Sequence, residues 1–125
     1  MSMDQDNKKE IYVDKITFDD FECIMSYDVT KNQACIEIEF CVDICDAYQT
    51  SWLGKMVDSN TKKTVYWFGL TEDGSQAYDF NSFEQFVNAK IFHDRKSIKE
   101  IWNSVSLLSI DACETQERLS FYLGD

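Results

Sequence analysis

The chain has 125 residues, of which 44% are hydrophobic and 14% aromatic, which is enough for one domain with its own core and excludes a disordered chain. Proline is absent and glycine occurs 4 times, which excludes collagen-like and low-complexity architectures. The 23 acidic and 12 basic residues give a net charge of −11. Such a chain repels nucleic acid and anionic membranes, and it attracts a basic protein.

The first ten residues are polar, so we expect a flexible tail over 1–10 and a single domain over 11–125. The tail lacks the apolar region of a signal peptide, and no run reaches the roughly 18 apolar residues of a membrane helix. The five cysteines are an odd number without a C-x-x-C pair. We therefore expect a cytoplasmic protein with reduced thiols and no membrane association.

Strand patterns dominate the chain as far as residue 80. IYVDKITF (11–18) predicts a first strand, and the alternation of FECIMSYDV (21–29) predicts a second strand with Cys23 on its buried side. A turn at 31–33 leads to CIEIEFCVDIC (35–45), in which every second residue is apolar. Further strands are expected near 52–57, 64–70 and 77–80, because β-branched and aromatic runs are separated there by polar turns.

The second and third predicted strands are expected to form a hairpin. A two-residue turn at Asn32-Gln33 places every apolar residue of one strand opposite an apolar residue of the other. From Asp19 to Asp46 the chain has eight acidic residues and one lysine. Like charges that face each other across a hairpin destabilise it, and a cationic partner relieves the repulsion. The predicted partner-binding residues are the acids of the polar face: Glu22, Asp28, Glu37, Glu39 and Asp43.

Helical spacing replaces alternation after residue 80. Asn81 or Ser82 is expected to cap a helix over 82–91, with Gln85 three residues after Ser82 as a capping box. Because the strands come first and the helices last, the sequence predicts an α+β fold. In this fold an antiparallel β-sheet from the N-terminal two-thirds packs with two or three C-terminal helices.

A second helix is expected over 97–107. Ser97 and Glu100 form a capping box there, and apolar residues follow at i, i+3, i+4 and i+7. The last segment fits two structures. One is a third helix that ends at Gly124, and the other is a β-hairpin with LSFYL as its second strand.

The cysteines of the third strand do not have metal-ligand spacing. Cys41 and Cys45 are four residues apart, which separates their α-carbons by about 13 Å on a strand. Two thiolates that each bond zinc at about 2.3 Å cannot share one ion at that separation. The sole histidine, His93, lies in another segment. We therefore predict no metal site and no cofactor.

Catalytic alternatives remain open. A cysteine with His93 as its base would form a thiol enzyme. Glu37 and Glu39 are about 6.6 Å apart along a strand, a separation that suits acid–base chemistry on a sugar. No glycine-rich phosphate loop is present, and the aromatic residues, including Trp52 and Trp67, are expected in the core. We expect no catalytic residues, and a cysteine- or carboxylate-dependent enzyme or a structural adaptor protein is the alternative.

The small acidic chain, its acidic hairpin and its lack of catalytic motifs resemble the immunity proteins of bacterial toxin–immunity systems, such as contact-dependent inhibition. The resemblance concerns the general character of the whole chain and assigns no site residues. It implies a cytoplasmic protein that blocks a basic toxin, often a nuclease, without catalysis and without binding nucleic acid itself. An acidic DNA mimic is a neighbouring interpretation. For the immunity interpretation, a nearby tyrosine or tryptophan is expected to supply the short-range binding energy.

Overall fold

The fold combines one antiparallel β-sheet with three short α-helices. The computed structural model describes residues 14–30, 35–42, 50–71 and 73–124. The strands are β1 (Ile36–Val42), β2 (Ser51–Val57), β3 (Thr64–Gly69), β4 (Ala77–Phe80) and β5 (Val105–Ile110), in the order β4-β3-β2-β1-β5. The helices are α1 (Phe18–Met25), α2 (Phe83–Asn88) and α3 (Thr115–Leu123). The predicted α+β class is confirmed.

The core lies between the helices and one face of the sheet, which we call the inner face. The apolar positions of β1 are buried there, and Ile38 pairs with Leu53 of β2 and with Ile110 of β5. Phe86 of α2 stacks on Phe68 of β3 with ring centroids 4.3 Å apart. Strand alternation along β1 therefore places its acidic residues on the opposite, outer face.

Residues 21–29 were predicted as a strand, and this prediction is wrong. Phe21, Ile24 and Met25 are buried on one side of α1, while Cys23 is exposed rather than packed in the core. The Thr17 hydroxyl caps the helix by accepting a hydrogen bond from the backbone N–H of Asp20 at 3.0 Å. The apolar residues fit the helical spacing i, i+3, i+4 as well as alternation, and the cap favours the helix.

The predicted hairpin between residues 21–29 and 36–44 therefore does not form. The partners of β1 are β2 and β5, so Glu37 lies opposite Gly54 and Glu39 opposite Trp52. The turn expected at 31–33 lies outside the described residues. The strand expected over 11–18 is reduced in the described part to one bridge between Asp14 and Leu107, because α1 begins at Phe18.

Residues 97–107 do not form the predicted helix. The capping box is present, since the Ser97 hydroxyl accepts from the Glu100 N–H at 3.2 Å and a Glu100 carboxylate oxygen accepts from the Ser97 N–H at 2.9 Å. The chain then makes a short 3₁₀ turn at Trp102–Ser104 and continues as β5. Residues from Val105 onward pair with β1 as the edge strand of the sheet, and this long-range pairing outweighs the local helical pattern.

The remaining two helices agree better with the sequence. The Ser82 hydroxyl caps α2 by accepting from the Gln85 N–H at 3.1 Å, although the helix is shorter than the predicted 82–91. For the last segment, the helical alternative is correct and the β-hairpin is wrong. Gly124 ends α3 with a left-handed φ of 74°, a conformation that glycine adopts at little cost.

A buried lysine joins α1 to the sheet. Lys55 of β2 points to the inner face and is 6% exposed. Its ammonium donates hydrogen bonds to the backbone carbonyls of Met25 and Tyr27, both at 2.7 Å, where α1 ends. Burial lowers the pKa of this lysine, and the nearby Asp28 carboxylate opposes that effect. The cation completes the carboxyl end of α1, where a positive charge is favourable.

Candidate outer-face binding site

The outer face of the sheet carries a regular arrangement of acidic, aromatic and glycine residues. Strand pairing places its residues in two rows that cross the sheet. The first row is Glu37, Gly54, Trp67 and Asp79. The second row is Ser109, Glu39, Trp52, Gly69 and Ala77. Each row therefore holds a glutamate on β1 and a tryptophan one or two strands away.

Gly54 makes room for the indole of Trp67. A methyl group built on Gly54 would lie 2.6 Å from Cζ2 of Trp67 and 2.1 Å from the carbonyl oxygen of Ile36. The indole therefore rests on the backbone of β2 and reaches across it toward β1. Glycine within a strand often marks such a close approach. Here it lets the Trp67 indole pack closely against the backbone of β2.

Between the two tryptophans lies a cavity of about 390 Å³ that opens to solvent. Its lining residues are Glu37, Thr50, Trp52, Trp67, Gly69 and Thr71. The volume falls in the lower part of the range for small-ligand sites, about 300–1,000 Å³. Two tryptophans and one glutamate therefore border the same space.

The backbone of Glu37 is held at the end of the β1–β5 pairing. Its N–H donates to a carboxylate oxygen of Asp111 at 3.0 Å, and its carbonyl accepts from the Asp111 N–H at 2.6 Å. The same Asp111 side chain accepts from Arg118 Nε at 2.8 Å and from the Tyr122 hydroxyl. Burial and the neighbouring Asp111 carboxylate raise the pKa of Tyr122, which keeps its proton for this bond. The turn after β5 and α3 thus fix the position from which the Glu37 side chain leaves β1.

The outer face is electrostatically one-sided. Glu37, Glu39 and Asp79 occupy outward positions of the described strands, and no lysine or arginine does. The one basic residue in those strands, Lys55, points inward. Carboxylates without cations between them produce a negative potential over a surface, which attracts positive charge.

The structure brings together two of the five predicted binding residues. Glu37 and Glu39 are neighbours on the outer face. Glu22 is exposed on α1, and Asp28 follows α1 on the helical side, so neither lies with Glu37 on the outer face. Asp43 lies outside the described residues.

Trp52 and Trp67 were expected in the core, and this expectation is wrong. Both are half-buried on the outer face, and neither belongs to the core cluster. Trp67 lies between Tyr66 and Phe68 in an unbroken aromatic run, so hydrophobicity alone did not show which residues point outward. Strand alternation did indicate the direction of both side chains, because adjacent residues of a strand point to opposite faces. Trp67 is adjacent to the buried Phe68, and Trp52 is adjacent to the buried Leu53.

The geometry expected of a thiol enzyme is not found among the described residues. His93 is exposed, and it borders a cavity of about 150 Å³ that none of the described cysteines lines. Among the same residues, no group of three or more histidine, cysteine, aspartate or glutamate side chains is placed to hold a metal ion.

Comparison with family models, curated proteins and solved structures gives no match for this chain. Across the described ranges, no helix has both the length and the apolar character needed to cross a membrane.

Proposed function

We propose that this chain is a non-catalytic immunity or inhibitor protein that neutralises a basic protein toxin by covering the toxin's active surface with its outer face. The observation that carries the proposal is the outer face itself, where two half-buried tryptophans lie beside carboxylates and no lysine or arginine occupies an outward position of the described strands. The net charge of −11 acts in the same direction over a longer range.

The two kinds of side chain have different roles in this proposal. The exposed Glu37 and the partly buried Glu39 steer a basic partner and raise its association rate, and salt screens this attraction. Trp52 and Trp67 supply the short-range energy, because tryptophan is enriched among the few residues that dominate binding at protein interfaces. On the described helices the large apolar residues pack in or against the core, except Phe121 of α3, which is 51% exposed.

The test is whether this protein suppresses the toxicity of the product of the neighbouring gene. In toxin–immunity systems the two genes are neighbours, so the product of the neighbouring gene is expressed with and without this protein. We expect the wild type to restore growth and the double variant Glu37→Lys/Glu39→Lys to fail. The matched control, Glu22→Lys/Glu117→Lys, changes the net charge equally on exposed helical positions and should protect.

Two outcomes would count against the proposal. A neighbouring product without toxicity would remove the immunity assignment. Equal protection by both double variants would show that the outer face is not the binding surface.

A further inference from the structure

The cavity on the outer face has a composition that selects a particular cation. We propose that it receives one arginine side chain of the protein partner, an inference that rests on the proposed function. The pocket would stack the guanidinium on the indole of Trp67 or Trp52 and pair it with the carboxylate of Glu37.

The register places these groups around one space. Glu37 and Trp67 are two strands apart in the same row, about 10 Å between α-carbons, and the residue between them is Gly54. The Trp67 indole fills the space above Gly54, whereas a methyl group added to Gly69 would have Trp67 Cζ3 at 3.9 Å as its nearest neighbour, so the cavity stays open above Gly69. Trp52 closes the cavity from the neighbouring row.

The carboxylate of Glu37 is available to a ligand. Its residue is exposed, and no ion pair among the described residues includes it. Its backbone is anchored through Asp111, so the point from which the side chain leaves β1 is fixed before a partner arrives. A site built this way loses less conformational entropy on binding.

Arginine fits this set of groups better than lysine. Its guanidinium is flat, stacks on aromatic faces and presents paired N–H groups to a carboxylate. An ammonium group is compact and strongly hydrated, and it pairs with Glu37 without using the flat indole surface. Cation–π attraction is strongest for tryptophan among the aromatic side chains.

The test uses the indole N–H signals in a ¹H–¹⁵N NMR spectrum during titration with N-acetyl-L-arginine amide. The chain has three tryptophans, and Trp102 serves as an internal control because its Nε1–H is buried and donates to the Ile16 carbonyl at 2.8 Å. We expect the signals of Trp52 and Trp67 to shift and that of Trp102 to stay. Trp52→Phe and Trp67→Phe assign the signals.

Matched ligands and variants separate charge from shape. N-acetyl-L-citrulline amide has nearly the same shape without the charge and should produce no shift. Glu37→Gln should weaken arginine binding by about threefold, the size of one exposed ion pair. Glu117→Gln removes a charge on α3 and should leave binding unchanged.

Equal shifts with the citrulline amide, or no shift of Trp52 and Trp67, would overturn the arginine assignment. The two proposals fail separately. Protection from the toxin through the outer face without a response to the arginine probe would reject the pocket alone. A response to the probe in a protein that gives no protection would reject the immunity function alone.

Discussion

At the scale of single residues, Lys55 is a buried cation in an apolar layer. Alternation with Leu53 assigns its position to the inner face, although lysine is rarely buried in a core. Its ammonium is tolerated there because two carbonyls at the end of α1 accept its hydrogen bonds. The residue therefore connects the helix to the sheet through polar rather than apolar contact.

Replacing Lys55 should remove the hydrogen bonds that join β2 to the end of α1. We expect Lys55→Met to lower the free energy of unfolding by about 1–3 kcal/mol, because the carbonyls of Met25 and Tyr27 lose their donor in a buried position. Urea unfolding measures the change. Lys63→Met, on an exposed residue, should stay within about 0.5 kcal/mol of the wild type. A Lys55→Met protein as stable as the wild type would contradict the role given to the ammonium.

Ala112 occupies a conformation that favours glycine. It follows Asp111 in the turn after β5, and its φ is 64°. We expect Ala112→Gly to stabilise the protein by about 0.5–1 kcal/mol, because glycine reaches the left-handed region without the steric cost of a Cβ atom. Ala77→Gly, at an ordinary strand position of β4, should destabilise it by a similar amount. Thermal unfolding measures both variants, and stability changes of the same sign would contradict the steric explanation.

At the scale of elements, the two strand glycines of the outer face differ in what surrounds them. We expect Gly54→Ala to destabilise the protein by about 3 kcal/mol or more, because the added methyl group meets a backbone carbonyl and the Trp67 indole. Gly69→Ala should be nearly neutral, since its closest neighbour is 3.9 Å away. Urea unfolding measures both variants, and a similar effect at the two glycines would show that Trp67 does not rest on β2.

The capping box at Ser97 makes a prediction about acid stability. The hydrogen bond from Lys90, followed by that from the Ser97 N–H, lowers the pKa of Glu100 to about 2 from an ordinary value of 4.5. Between these two values the unfolded chain binds more protons, so the stabilisation is complete above pH 4.5 and is lost as the pH falls toward 2. We expect the stability difference between wild type and Glu100→Gln to shrink over that window in urea unfolding. A difference that does not change with pH would contradict it.

The elements that sequence predicted correctly are those with one consistent signal. Strands β1, β2, β3 and β4 combine alternation or β-branched runs with clear turns, and α2 has a serine cap. Residues 21–29 failed because FECIM satisfies both the strand and the helix period. Residues 97–107 failed because a real capping box precedes a segment whose apolar side chains are needed beside β1. Local patterns cannot report such long-range pairing.

At the scale of the whole molecule, all three helices pack on the inner face, and the site lies on the other side of the sheet. Glu37 and Glu39 were predictable because alternation along β1 fixes their side regardless of the partner strand. Trp52, Trp67 and Gly54 were not, because their proximity to Glu37 depends on the β1–β2–β3 register. Because Phe18–Met25 form a helix and not a strand, Glu22 and Asp28 do not lie on the outer face.

The central claim is that a basic partner binds the outer face. The most direct measurement is the affinity of the purified partner for wild type and for Glu37→Lys/Glu39→Lys over a series of salt concentrations. We expect wild-type binding to weaken as salt rises, and the variant to bind more weakly with a smaller dependence on salt. An affinity and a salt dependence that are both unchanged in the variant would contradict the claim.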